Sequence, residues 1–113
     1  MEEMLRMASS LGEAIARSEP ARKLDAARER VAADGATAGL LKDLEEHGRR
    51  VAELVREKKP IEPEDKRRLA DLEEKVRLDP LMGELMAAEA DYADIIRRVN
   101  AAIYGKLSES RIE

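Results

Sequence analysis

The chain has 113 residues, carries a formal net charge of -4 at pH 7 and contains no Cys, Phe or Trp. This length predicts one domain, because two separate cores would each be too small to offset the conformational entropy of their chain segments. The missing cysteines exclude disulfides, zinc knuckles and iron–sulfur ligand sets, and the net acidity disfavours direct binding to nucleic acid.

Charged residues make up 41% of the chain, and the apolar residues are almost all aliphatic, which is typical of amphipathic helices. No alternation with a period of two is long enough to predict a strand. The N-terminus is acidic, and no apolar run approaches the roughly 20 residues that span a bilayer. We therefore expect an all-α protein that lies in the cytoplasm and does not insert into membranes.

The first two helices are predicted on either side of Ser18. Apolar residues recur at steps of three and four in the first segment, at Met4, Ala8, Leu11 and Ile15. Pro20 fits the first turn of a second helix, where its missing N–H costs no hydrogen bond. Gly35 fits the end of that helix, because glycine tolerates the left-handed conformation found at helix ends.

Two long helices are predicted, from about residue 37 to 58 and from about residue 80 to 107. Residues 58–63 must form a loop, because two prolines three positions apart cannot both lie inside a helix. A fourth helix follows from Pro63. The expected architecture is an antiparallel bundle of about five helices, with one domain over residues 1–107 and a frayed tail at 108–113.

The long helices predict association with another chain. Their lengths of about 30 and 40 Å exceed the diameter of about 26–30 Å expected for a globule of this size, so apolar ends should protrude. We expect a homo-oligomer or a complex with a partner protein. The candidate interaction surface comprises Leu40, Leu44, Val51, Met82, Leu85, Met86, Ile96, Val99 and Ile103. The alternative for Met82 and Met86 is that they fill gaps in the core.

A second candidate surface consists of basic residues that flank the proline loop. These residues are Lys58, Lys59, Lys66, Arg67 and Arg68. Such a basic patch would contact an acidic protein surface or an RNA backbone, although it lacks interleaved aromatic residues for base stacking. RNA binding through residues 56–68 is therefore the alternative hypothesis. The interleaved acidic residues favour ordinary solvated helix faces with ion pairs between neighbouring turns.

No catalytic, metal or cofactor site is predicted. His47 is the only histidine, and a Glu-x-x-His metal pair would need an acidic residue where Leu44 stands. A solvated or partner-facing role for His47 is therefore expected. The sequence also lacks a serine nucleophile signature and a glycine run that would bind phosphate. We expect no enzymatic activity.

The order of these signals resembles the YlbF/YmcA family of bacterial helical proteins over residues 3 to about 107. The segments that carry the likeness include Ser18-Glu19-Pro20-Ala21, Leu24-Asp25-Ala26-Ala27, Leu40-Leu41, Asp79-Pro80-Leu81-Met82 and Val99-Asn100-Ala101-Ala102-Ile103. The resemblance implies a cytoplasmic, non-catalytic accessory subunit that influences RNA processing and developmental regulation. It implies related helical proteins, or a ribonuclease, as partners. The iron–sulfur clusters associated with some members cannot apply, because this chain has no cysteine.

Overall fold

Five α-helices make up nearly all of the computed structural model, which describes residues 1–112. They are α1 (Glu2–Arg17), α2 (Glu19–Ala33), α3 (Gly35–Arg56), α4 (Pro63–Leu78) and α5 (Pro80–Ile112). No strand occurs in this described part of the chain. The predicted all-α fold with about five helices is therefore confirmed.

Local hydrogen bonds and prolines set the helix boundaries close to their predicted positions. The exception is the role of Gly35, which begins α3 and does not adopt the left-handed conformation predicted for it at the end of α2. Ser18 ends α1, and its hydroxyl donates to the Ile15 carbonyl oxygen at 2.6 Å. Asp34 precedes α3, and its carboxylate accepts the N–H of Thr37 at 2.9 Å. Proline occupies the first or second position of α2, α4 and α5. A backbone N–H at these positions has no acceptor within the helix, so proline loses no hydrogen bond there.

α3 ends at Arg56, two residues before the predicted end, in a turn of the Schellman type. The Lys58 N–H donates to the Val55 carbonyl oxygen at 3.1 Å, and the Lys59 N–H donates to the Leu54 carbonyl oxygen at 2.9 Å. Lys58 has φ of 59°, in the left-handed region that usually holds glycine. The predicted loop between α3 and α4 is confirmed.

α5 continues to Ile112, beyond the predicted end at Leu107. The added residues include no glycine or proline, and Lys106 pairs with Glu109 at 3.2 Å across one turn. No local signal therefore stops the helix at Leu107. Fraying of this end stays a prediction, and Glu113 lies outside the described residues.

The chain divides into two compact units. Unit 1 consists of Met1–Ala27 and the chain from Met86 onward, whereas unit 2 consists of Arg28–Leu85. The buried residues of unit 1 are Ala21, Leu24, Ala27 and Ala88. Both units draw residues from α2 and α5, and the prediction of one domain over residues 1–107 stays a prediction.

α3 and α4 form an antiparallel hairpin in unit 2. Thr37, near the start of α3, contacts Asp79 just after α4, whereas His47, further along α3, contacts Asp65 at the start of α4. This reversed order of contacts defines the antiparallel direction. On α4, Leu72 is only 2% exposed and is the most deeply buried large side chain among the described residues.

Asp79 connects the beginnings of α3 and α5. Its Oδ1 accepts the N–H groups of Leu81 at 2.9 Å and Met82 at 3.2 Å, and its Oδ2 accepts the hydroxyl of Thr37 at 2.7 Å. The Thr37 hydrogen bond and the two backbone N–H groups hold the pKa of Asp79 below its ordinary value, against the opposing effect of burial. The ionised form of Asp79 is therefore part of the folded structure.

Candidate protein-interaction surface

α1 buries no side chain, although its sequence is strongly amphipathic. Met4, Leu5 and Met7 are 61–66% exposed, and Leu11 is 37% exposed. These four residues define the α1 face. Apolar surface in water costs about 25 cal/mol per Å², so a helix with this pattern gains stability when a second apolar surface covers it.

The second half of α5 exposes another apolar area in the same unit. Ile103, Tyr104 and Leu107 are 46–66% exposed, and Ile96 is half-buried about two to three turns earlier. These four residues define the α5 face. At about 100° per residue these four side chains lie within roughly 100° of the circumference of α5, so one neighbouring surface can cover them all.

An open groove of about 590 Å³ follows this part of α5. Its lining residues are Tyr92, Ala93, Ile96, Arg97, Asn100, Ala101 and Tyr104. The small side chains of Ala93 and Ala101 leave room between the two tyrosines, whose rings present apolar area together with a polar hydroxyl. Tyrosine is also enriched in protein interfaces. The groove can therefore receive the side chains of a partner helix.

The predicted interaction residues fall into three groups in the structure. Met86 and Ile103 are 53% and 46% exposed, while Ile96 and Val99 are half-buried on α5. Met82 and Leu85 are only 8% and 9% exposed and belong to the core of unit 2, so the proposed interaction surface does not include them. For Met82 this is the alternative that the sequence left open.

Leu40, Leu44 and Val51 form the third group, because they belong to the packing of the α3–α4 hairpin. All three are half-buried. They recur at helical spacing with Thr37 and His47, whose side chains contact residues at the two ends of α4. This face of α3 is therefore directed at α4 within the chain, and the proposed interaction surface does not include these three residues either.

The basic patch does not converge on one face. All five residues are exposed, but Lys59 pairs with Glu57 at 2.9 Å. At about 100° per residue, Lys66, Arg67 and Arg68 spread over roughly 200° of the circumference of α4. These three side chains therefore point in different directions. The basic residues of α4 do not form the predicted common surface for an RNA backbone.

His47 has a contact within the chain in place of the predicted exposure to solvent or a partner. It is half-buried, and its Nε2 lies 2.8 Å from the carbonyl oxygen of Asp65, which accepts a hydrogen bond from the ring N–H. The Asp65 carboxylate pairs with the Nε of Arg50 at 3.5 Å. His47 thus holds the start of α4 against α3.

The exposed residues of α1 are the part of the surface that sequence reasoning missed. The periodicity placed Met4 and Leu11 on an apolar stripe, but it does not tell whether another helix of the same chain covers that stripe. The signal available in the sequence was the length of this apolar stripe, because the short connections between the helices contain no segment long enough to cover it. Only the fold distinguishes a covered stripe from an open one.

Neither a metal-binding cluster nor a membrane-spanning helix occurs within residues 1–112. No group of three or more metal-ligating side chains lies close enough together to hold an ion. No described helix is both long enough and apolar enough to cross a bilayer.

Comparison with known proteins identifies relatives of similar fold. The sequence profile of a family described as control of competence regulator ComK, YlbF/YmcA, matches residues 4–108. The X-ray crystal structure of Bacillus subtilis RicA in complex with RicF has a TM-score of 0.87 and 18% sequence identity, covering 98% of this chain and 97% of that chain. A protein of unknown function (DUF964) from Bacillus stearothermophilus has a TM-score of 0.68 and 22% identity, covering 95% and 94%. No curated protein matches the sequence significantly.

Proposed function

Because this chain belongs to the YlbF/YmcA family, described as control of the competence regulator ComK, we propose that it is a regulatory protein that binds other proteins and does not catalyse a reaction. The observation that carries the proposal is the exposure of the α1 and α5 faces within one unit. Exposed apolar areas of this kind mark interaction sites in proteins.

The geometry of the polar residues supports a non-catalytic role. His47 donates to a backbone carbonyl group, and the sequence has no cysteine and no second histidine. A general base or nucleophile needs a partner within hydrogen-bond reach of a reacting group. Of the side chains that line the cleft around His47, both His47 and Arg50 contact Asp65 at the start of α4.

The partners that fit the proposal are proteins. The structurally similar RicA was crystallised in complex with RicF, which is an example of a chain of this fold that binds another protein. For this chain we propose a second copy or a related helical protein as partner, in the cytoplasm. We also propose, from the family resemblance, that the resulting complex acts on RNA processing through a ribonuclease.

Two substitutions in the proposed surface test this function. Leu11→Asp and Ile103→Asp place a charge on the α1 and α5 faces, so we expect the affinity for the partner to fall by about 30-fold or more. Helical content should not change, because both side chains already contact solvent. The measurement is affinity capture of the tagged protein from its own cells, with circular dichroism of each purified variant.

Val55→Asp is the matched control, because Val55 is 59% exposed and lies on α3 in unit 2. This variant should retain the captured proteins. If Val55→Asp and Leu11→Asp behaved alike, the proposed surface would be wrong. Capture that depends on intact RNA and is lost when Lys66 and Arg67 are neutralised would instead favour the RNA-binding alternative.

A further inference from the structure

We propose that the two apolar faces of unit 1 cover each other between two copies of this chain, with α1 of one copy antiparallel to the second half of α5 of the other. The contact is reciprocal, so each copy provides one α1 face and one α5 face. This inference rests on the proposed function, since it names the partner of the same surface.

The two faces match in length and in spacing when each is extended by one half-buried residue, Ile15 on α1 and Tyr92 on α5. Met4, Leu11 and Ile15 lie at intervals of seven and four residues along α1, and Ile103, Ile96 and Tyr92 lie at the same intervals in reverse order along α5. Each set spans about 17 Å at 1.5 Å per residue. The antiparallel register therefore places Met4 beside Ile103 and Leu11 beside Ile96. Methionine side chains on the α1 face adapt well to an irregular groove.

Charge selects the antiparallel direction. Residues 84–94 of α5 contain only acidic charges, whereas residues 97–106 contain only basic charges. In the antiparallel register, the acidic first turn of α1, with Glu2 and Glu3, lies beside the basic half near Lys106. In the parallel direction, the same turn would lie beside Glu89 and Asp91 and would be repelled. The helix dipoles favour the antiparallel direction for the same reason.

The exposed area is large enough for a stable dimer. The residues concerned are Met4, Leu5, Met7, Leu11, Ile103, Tyr104 and Leu107. Together they expose on the order of 800 Å² per chain, which is what one partner contributes to an interface of standard size. A lipid surface is a poor occupant, because α1 carries three glutamates against two arginines, whereas the polar side of membrane-binding helices is rich in lysine and arginine.

A charge-exchange experiment tests the pairing between copies. One variant carries Glu2→Lys and Glu3→Lys, and the other carries Lys106→Glu. Each variant alone brings like charges together at both contacts of the dimer, so its dissociation constant should rise by about tenfold. An equimolar mixture should recover association, because both contacts are then between opposite charges. Analytical ultracentrifugation at low ionic strength measures all three samples.

Introduced cysteines test the register, because the natural chain contains none. A mixture of Met4→Cys and Ile103→Cys chains should form a disulfide-linked heterodimer under mild oxidation. The matched control is a mixture of Met4→Cys and Tyr92→Cys chains. These two cysteines would be close enough for a disulfide only if α1 and α5 packed in parallel. Non-reducing electrophoresis separates these outcomes.

A chain that remains monomeric at high concentration would overturn the inference, as would a dimer that links Met4 to Tyr92 or neither pair. Neither result contradicts the proposed function, which the affinity capture of the Leu11→Asp and Ile103→Asp variants tests separately. If Leu11→Asp abolished capture of a different protein while the natural chain was monomeric, the surface would stand and the second copy would be the wrong occupant.

Discussion

Lys58 has a left-handed backbone conformation, which costs a residue with a Cβ about 1–2 kcal/mol. It occupies the position after the end of α3 where glycine is usual. We predict that Lys58→Gly increases the free energy of unfolding by about 0.5–1 kcal/mol, because relief of the strain exceeds the added entropy of glycine in the unfolded chain. Urea denaturation followed by circular dichroism measures this change.

Lys59→Gly is the matched control, because Lys59 is the next residue and does not have a positive φ. Glycine at that position relieves no strain and only adds entropy to the unfolded chain, so stability should stay the same or fall. An equal gain in stability from both substitutions would contradict the strain at Lys58 and would indicate an effect of removing positive charge.

At the scale of helices, Thr37 and Asp79 connect the start of α3 to the start of α5. Thr37→Val keeps the size and β-branching of the side chain but removes the donor to Asp79. We predict a decrease in Tm on the order of 5 °C at pH 7, because the charged Asp79 carboxylate loses one of its three hydrogen bonds. Ser9→Ala, on the exposed α1, should not lower Tm, because Ser9 is exposed and alanine favours the helix more than serine does.

The same pair gives this prediction a dependence on pH. The folded pKa of Asp79 lies below its ordinary value of 3.8, so its contribution to stability is complete above that value and is lost as the pH falls through the folded pKa. The difference in Tm between the natural chain and Thr37→Val should therefore shrink in acid. A difference that stays constant down to the acid limit of folding would show that Asp79 is not responsible.

Most of the helix ends could be predicted from the sequence because their causes are local, whereas the end of α5 has no such local signal. Ser18 and Asp34 act through hydrogen bonds to residues within one turn, and the prolines act through their missing backbone N–H, so sequence alone contains that information. The helix faces could not be assigned in the same way. Leu85 and Ile103 occur in the same periodic pattern of α5, yet one is buried and the other is exposed. Their difference depends on which helices lie beside them.

At the scale of the whole chain, few large side chains are buried and many are exposed. The buried hydrophobic residues of the described chain number nine, of which Ala21, Ala27 and Ala88 contribute little area, whereas eleven large hydrophobic residues are exposed. Burial of apolar area is the main stabilising contribution to folding. A second chain that covers the α1 and α5 faces would therefore contribute a substantial part of the stability.

We predict that Tm rises with protein concentration, by on the order of 5 °C for each tenfold increase, because association stabilises the folded state by mass action. Thermal unfolding followed by circular dichroism over about two decades of concentration measures the slope. Leu11→Asp should lower Tm at high concentration and abolish the slope, because its folded state no longer associates through the α1 face. Val55→Asp should keep the slope. A natural chain whose Tm is independent of concentration would show that it reaches its full stability alone, and the exposed faces would then serve only partners of a different kind.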